Sequence, residues 1–125
     1  MSSKKRGRSA KSQPEPPPKK KVKGSLQLTI NEDIANYLRI DSINAVHVTK
    51  SGHPTSCASI AEVFSVLFFH QEGLKFHPDN TAHFLNDRVV LSKGHAAPIL
   101  YSALFRAGVL TEEQLMSLRK KDSLI

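Results

Sequence analysis

One short run constrains the fold more than any other part of the chain: Arg88-Val89-Val90-Leu91-Ser92 is β-branched and apolar, in the manner of a strand covered on both faces. A single strand cannot form a sheet by itself, and the patterns on either side of it are helical. The order read along the chain is helix, helix, strand, helix, helix. The fold class expected is therefore α/β, with this chain a mostly helical part of a layered, parallel-sheet structure.

The helical patterns have local causes. Asn31 is a candidate cap, Glu32 and Asp33 suit the positive end of a helix dipole, and Ile34, Leu38, Ile43 and Val46 recur at helical spacing, which predicts a helix to about Val48. Ser51-Gly52-His53-Pro54 then breaks the chain, because glycine permits unusual backbone angles and the residue before proline avoids the α region. A second helix is predicted to start within residues 55–59, with Ser59-Ile60-Ala61-Glu62 as a capping-box candidate, and to run to about His70. Its apolar residues Ile60, Val63, Phe64, Val66, Leu67, Phe68 and Phe69 lie nearly all round it, which predicts burial. Residues 71–86 read as a long connection. After the strand run and a turn at Ser92-Lys93-Gly94, a helix is predicted over about residues 95–107, with Pro98 in its first turn and Gly108 to stop it. Thr111-Glu112-Glu113-Gln114 is a capping-box start for a last helix through Leu118.

Charge divides the chain. Residues 1–24 hold nine Lys/Arg against the single acid Glu15, a net of +8, whereas residues 25–125 hold nine Lys/Arg against ten acids. The tail also has four of the seven prolines and almost nothing apolar to bury, so 1–24 are expected to be a disordered basic tail and 25–125 the folded body. Beyond Arg119-Lys120-Lys121 the body lacks a basic cluster with which to track nucleic acid, so a nucleic-acid-binding role would rest on the tail alone. Two basic patches, Lys4-Lys5-Arg6-Gly7-Arg8 and Lys19-Lys20-Lys21-Val22-Lys23, flank the stiff spacer Pro14-Glu15-Pro16-Pro17-Pro18. They resemble a bipartite nuclear localisation signal, with a nuclear import carrier as the expected partner. The alternative is a solvated tail with generic affinity for polyanions.

The single cysteine, Cys57, excludes an internal disulfide and a thiolate zinc cluster, and reads as a small apolar filler at the start of a buried helix. The longest apolar run, residues 63–69, is interrupted by Ser65 and falls far short of the ~20 residues that cross a bilayer, so no membrane partner is expected. No apolar h-region opens the chain, and no secretory signal is expected. The glycine-rich loops of common nucleotide-binding proteins and the nucleophile elbow of hydrolases are absent.

Chemistry concentrates at two histidines, each beside a glycine at a predicted helix entrance: Ser51-Gly52-His53-Pro54-Thr55-Ser56 and Leu91-Ser92-Lys93-Gly94-His95-Ala96-Ala97-Pro98. In a parallel α/β sheet, ligands collect outside the carboxyl ends of strands, where the next helix presents free N–H groups to anions, and Lys93, Gly94 and His95 stand at such a place. Phosphate is the natural ligand. The structural alternative has His95 bonded to a loop carbonyl and Lys93 in solvent. His70, His77 and His83 with Asp79 match no familiar metal-site spacing and read as solvated residues of the connection.

These blocks, together with Arg39-Ile40-Asp41-Ser42-Ile43, Ala61-Glu62-Val63, Val66-Leu67-Phe68-Phe69-His70 and Asn86-Asp87-Arg88, closely resemble the N-terminal stretch of the transketolase family, in order and spacing, over roughly residues 31–121. The resemblance implies the N-terminal part of a thiamine-diphosphate-binding α/β domain. It also implies an enzyme of the pentose phosphate pathway, cytoplasmic and homodimeric, that transfers a two-carbon ketol unit between sugar phosphates with thiamine diphosphate and Mg2+. By motif match, His53 looks like a catalytic histidine that contacts sugar hydroxyls. His95 looks like a catalytic residue near the cofactor diphosphate, and Ser56 like a cofactor-pocket residue. Ala58 departs from the larger residues common at its position, a conservative change. No residue of this chain is implied as a metal ligand. The family's Gly-Ser-Leu-Gly-Gln-Gly segment, its Gly-Asp-Gly region with the Mg2+ ligands, and the glutamate that activates the thiazolium ring are expected downstream. On that reading the chain is half of a pocket, inactive by itself. The alternative is a truncated, non-catalytic transketolase-like protein that binds a partner subunit or acts in the nucleus.

Overall fold

A computed structural model describes residues 32–125; the basic tail with its two patches and the candidate cap Asn31 lie outside the described residues. The elements are α1 (Glu32–Thr49), α2 (Pro54–Ala58), α3 (Ala61–Phe69), a 3-10 turn (Gly94–Ala96) leading into α4 (Ala97–Arg106), and α5 (Glu112–Leu115). Helix α1 turns Ala35, Leu38, Ser42 and Ala45 inward at helical spacing, and Glu32 and Asp33 occupy its first turn as the dipole favours. Ala35 and Leu38 meet Cys57, Ala61, Phe64, Ile99 and Ala103 in one core, so α1, α2, α3 and α4 close around small residues that let the helices approach. A second, smaller cluster joins Ala45 of α1 to Leu115 and Leu118.

One polar tie crosses this core. Buried Asp41 of α1 accepts from two guanidinium nitrogens of Arg106, at 2.6 and 2.7 Å, and from the Ser102 hydroxyl at 3.2 Å. The hydrogen-bonded carboxylate raises the Arg106 pKa above its ordinary value, and the guanidinium lies over the Tyr37 ring at 4.8 Å. A second ion pair joins Arg39 of α1 to Glu62 of α3 and, chiefly through its hydrogen bond, holds the exposed Glu62 carboxyl below the usual range.

Local rules set the last two helix boundaries as expected. Pro98 lies in the first turn of α4, and Gly108, at φ +83°, ends that helix. There the Gly108 N–H donates to the Phe105 carbonyl and the Val109 N–H to that of Leu104, a Schellman closure. Thr111 and Gln114 form the reciprocal capping box at 3.2 and 2.8 Å, although α5 stops at Leu115 and the chain reaches Leu118 through turns.

Three expectations are corrected. The second helix is split: α2 ends at Ala58, the Ser59 hydroxyl donates back to the Ser56 carbonyl instead of capping forward, and α3 begins after Ile60 with no side-chain cap. Helix α3 is also not buried all round. Ala61, Phe64 and Ser65 are buried against the other helices, but Val63 is 56% exposed, because no described layer covers its outer face. The run 88–92 is extended without being a strand, since a ladder needs a partner and no strand is found among the described residues. It alternates faces. Val89 lines a cavity of about 230 Å³ with Phe68, Leu100 and Leu104, Val90 is 89% exposed, and Leu91 packs on the core, so one side is covered rather than two. Its start is fixed by Asp87, whose N–H donates to the Lys75 carbonyl and whose carboxylate accepts the Lys75 N–H, each at 2.8 Å. No described helix is long and apolar enough to cross a membrane.

Candidate functional site

The first Gly-His loop follows from how α1 ends. Thr49 turns its hydroxyl back to the Ala45 carbonyl at 2.8 Å, Lys50 adopts left-handed backbone at φ +53°, and Gly52 sits at φ +125°. Only glycine suits that last position, since a Cβ there would meet the Val46 Cγ2 at 2.7 Å and the Pro98 ring at 3.3 Å. Gly52 thus seats the loop against the start of α4. His53 becomes the residue that caps α2 by position, with Pro54 behind it, yet its side chain makes no capping bond and stays exposed.

The second loop delivers His95 within the 3-10 turn that precedes α4, with Lys93 exposed just before it. The His53 and His95 rings stand 4.3 Å apart between centroids, edge to face at 74°. Residues 42 positions apart in sequence therefore present two exposed imidazoles to one point, where each can donate or accept a hydrogen bond near neutral pH. Ser56, partly buried, lies one turn along α2 from His53, with the α2 bond from the Cys57 N–H to the His53 carbonyl at 3.2 Å behind it. Cys57 points into the core; burial pushes its thiol up, which keeps it protonated at neutral pH and makes it packing rather than a nucleophile.

Arg119 is legible in the sequence only as part of a basic cluster, and it is the fold that brings it to the site. Its guanidinium donates to the Ser51 hydroxyl and to the Gly94 carbonyl, both at 3.1 Å, so one side chain touches both loops. The remaining histidines lie elsewhere. His77 and His83 pair at 4.9 Å on the connection, whose Asn86 accepts the His77 N–H and donates to the Asn80 carbonyl. No group of three or more His, Cys, Asp or Glu among the described residues is placed to hold a metal ion.

Among the described residues, fold and site define a helical assembly in which two exposed histidines from separate loops meet. A family profile described as "Transketolase, thiamine diphosphate binding domain" matches residues 30–125, and the chain belongs to the transketolase family. It is 54% identical to the transketolase of Homo sapiens over 92 residues, which is 74% of this chain and 14% of that protein. It is 53% identical to transketolase-like protein 2 of Bos taurus over 88 residues, 70% of this chain and 14% of the relative. Transketolase-like protein 1 of Bos taurus is 48% identical over 69 residues, 55% of this chain and 11% of that protein. The chain thus spans about one seventh of the length of the first two relatives.

Proposed function

We propose that this chain supplies the first part of the thiamine-diphosphate pocket of an enzyme that transfers a two-carbon ketol unit between sugar phosphates. The observation that carries this is the contact between His53 and His95, because it joins the two residues that the family resemblance implies for sugar hydroxyls and for the cofactor diphosphate. The residues present fit the cofactor. Space beside Gly94 is open, a Cβ there meeting no atom within 4 Å, and exposed Lys93 and His95 flank it with donors suited to an anion. His95 and Ser56 would hold the diphosphate side, and His53 would hold or move a proton at a sugar hydroxyl oxygen. Bound thiamine diphosphate supplies carbanion-stabilising chemistry. Mg2+ would be held by residues other than those described here.

The test places residues 30–125 in a complete transketolase and titrates the chimera with thiamine diphosphate and Mg2+ by calorimetry. His95→Ala is expected to weaken binding by roughly 1–3 kcal/mol, the cost of leaving a charged oxygen without its donor. His77→Ala, on the connection, is expected to leave it unchanged. Equal affinity in both variants would remove His95 from the diphosphate. A second reading, in which the chain is non-catalytic and docks onto a separate subunit, is favoured by the exposed apolar side chains Tyr37, Ile40, Ile43 and Val48 of α1. A folded chimera that lacks ketol-transfer activity even with His53 and His95 in place would favour that reading.

For residues 1–24 we propose an import signal, with a cytoplasmic location as the alternative, on the strength of the two basic patches and their spacer. Fused to a neutral reporter, they are expected to carry it into the nucleus, and replacing Lys19-Lys20-Lys21 with alanine is expected to weaken that. Even distribution of both reporters between the compartments would leave only a solvated tail.

A further inference from the structure

We infer that Arg119 is a positioning residue, a clamp that sets the distance between the two histidine loops. The inference rests on the reading that His53 and His95 form one site, and goes beyond it by naming what holds them together. Among the described residues, the hydrogen bonds joining the two loops both come from this guanidinium. One nitrogen donates to the Ser51 hydroxyl, two residues before His53, and another to the Gly94 carbonyl, one residue before His95. The fork geometry of arginine suits two acceptors at once, which a single ammonium matches less well.

The backbone of Arg119 is itself set for this. It takes left-handed angles at φ +57°, which a non-glycine residue adopts at a cost, and its N–H donates to the Ile125 carbonyl at 2.9 Å. Leu118, immediately before it, is fully buried beside Ala45 and Leu115. The side chain is therefore anchored by the second core cluster and reaches across to loops that otherwise meet through packing alone: Gly52 against Pro98, the two rings, and α2 against the 3-10 turn. Removing the clamp leaves both loops attached to their own helices. What it releases is their separation.

The experiment follows the full 125-residue chain by proton NMR, reading the cross-peak between the ring protons of His53 and His95 alongside the thermal midpoint. The wild-type chain is expected to show that cross-peak. Arg119→Ala is expected to lose it with little change in midpoint, and Arg119→Lys to restore it in part. Ser51→Ala, which removes one acceptor and keeps the guanidinium, is expected to weaken it, and it decides the matter should Arg119→Ala fail to fold. Arg39→Ala, an arginine paired elsewhere, is expected to leave it intact. A cross-peak undiminished in both Arg119→Ala and Ser51→Ala would overturn the clamp while leaving the histidine pair standing. Absence of the cross-peak from the folded wild-type chain would overturn the pair itself, and with it the observation on which the proposed function depends.

Discussion

His53→Ala, made in a complete transketolase that carries residues 30–125, is expected to lower kcat by about 10²–10⁴-fold, the usual cost of losing a positioned acid–base group. Cofactor affinity is expected to change little. The two effects separate because His53 stands on the α2 side of the pair, exposed and spared from capping, whereas the open space beside Gly94 lies on the other loop. Steady-state kinetics with calorimetry on the same preparation checks both, with circular dichroism to confirm equal folded fractions. A variant that keeps kcat and loses cofactor affinity would exchange the roles given to the two histidines.

Arg106→Ala is expected to destabilise the full chain by about 3 kcal/mol, measured by urea denaturation, because it leaves the Asp41 carboxylate buried without its cation. The figure is set at the low end of the range for buried pairs, since Arg106 is itself partly exposed and Ser102 still donates to Asp41. Against a total stability of roughly 5–15 kcal/mol for a domain, that loss would leave a measurable unfolded fraction. Replacing both partners with apolar residues, Asp41→Leu with Arg106→Met, is expected to cost less than the single change, because no charge is then stranded. A single variant within a few tenths of a kcal/mol of wild type would mean that solvent reaches the carboxylate.

What the sequence made legible follows from range. The Schellman closure at Gly108 and the capping box of Thr111 and Gln114 depend on residues within one or two turns, and the pattern along the chain contains all of their causes. The break between α2 and α3 is as short, yet it turns on which way the Ser59 hydroxyl points, and either direction suits the same residues. Covering layers account for the larger differences. Residues 88–92 and the outer face of α3 carry the composition of buried elements, but composition states what a surface needs and not which residues supply it.

The site divides in the same way. Each Gly-His loop was visible as a local motif, and the family resemblance pointed to both. Their contact, the Asp41–Arg106 tie across 65 positions and the reach of Arg119 across 68 positions to Ser51 depend on how α1, α4 and the end of the chain pack. No periodicity or spacing encodes those separations.

The central claim is that His53 and His95 act as one site, and a double-mutant cycle on kcat/KM in the transketolase chimera tests it most directly. Side chains in contact typically couple by about 0.5–3 kcal/mol, so the double variant is expected to lose clearly less than the product of the two single losses. Single losses that multiply, or no loss in any of the three variants at equal folded fraction, would contradict the claim and make the two rings independent or purely structural.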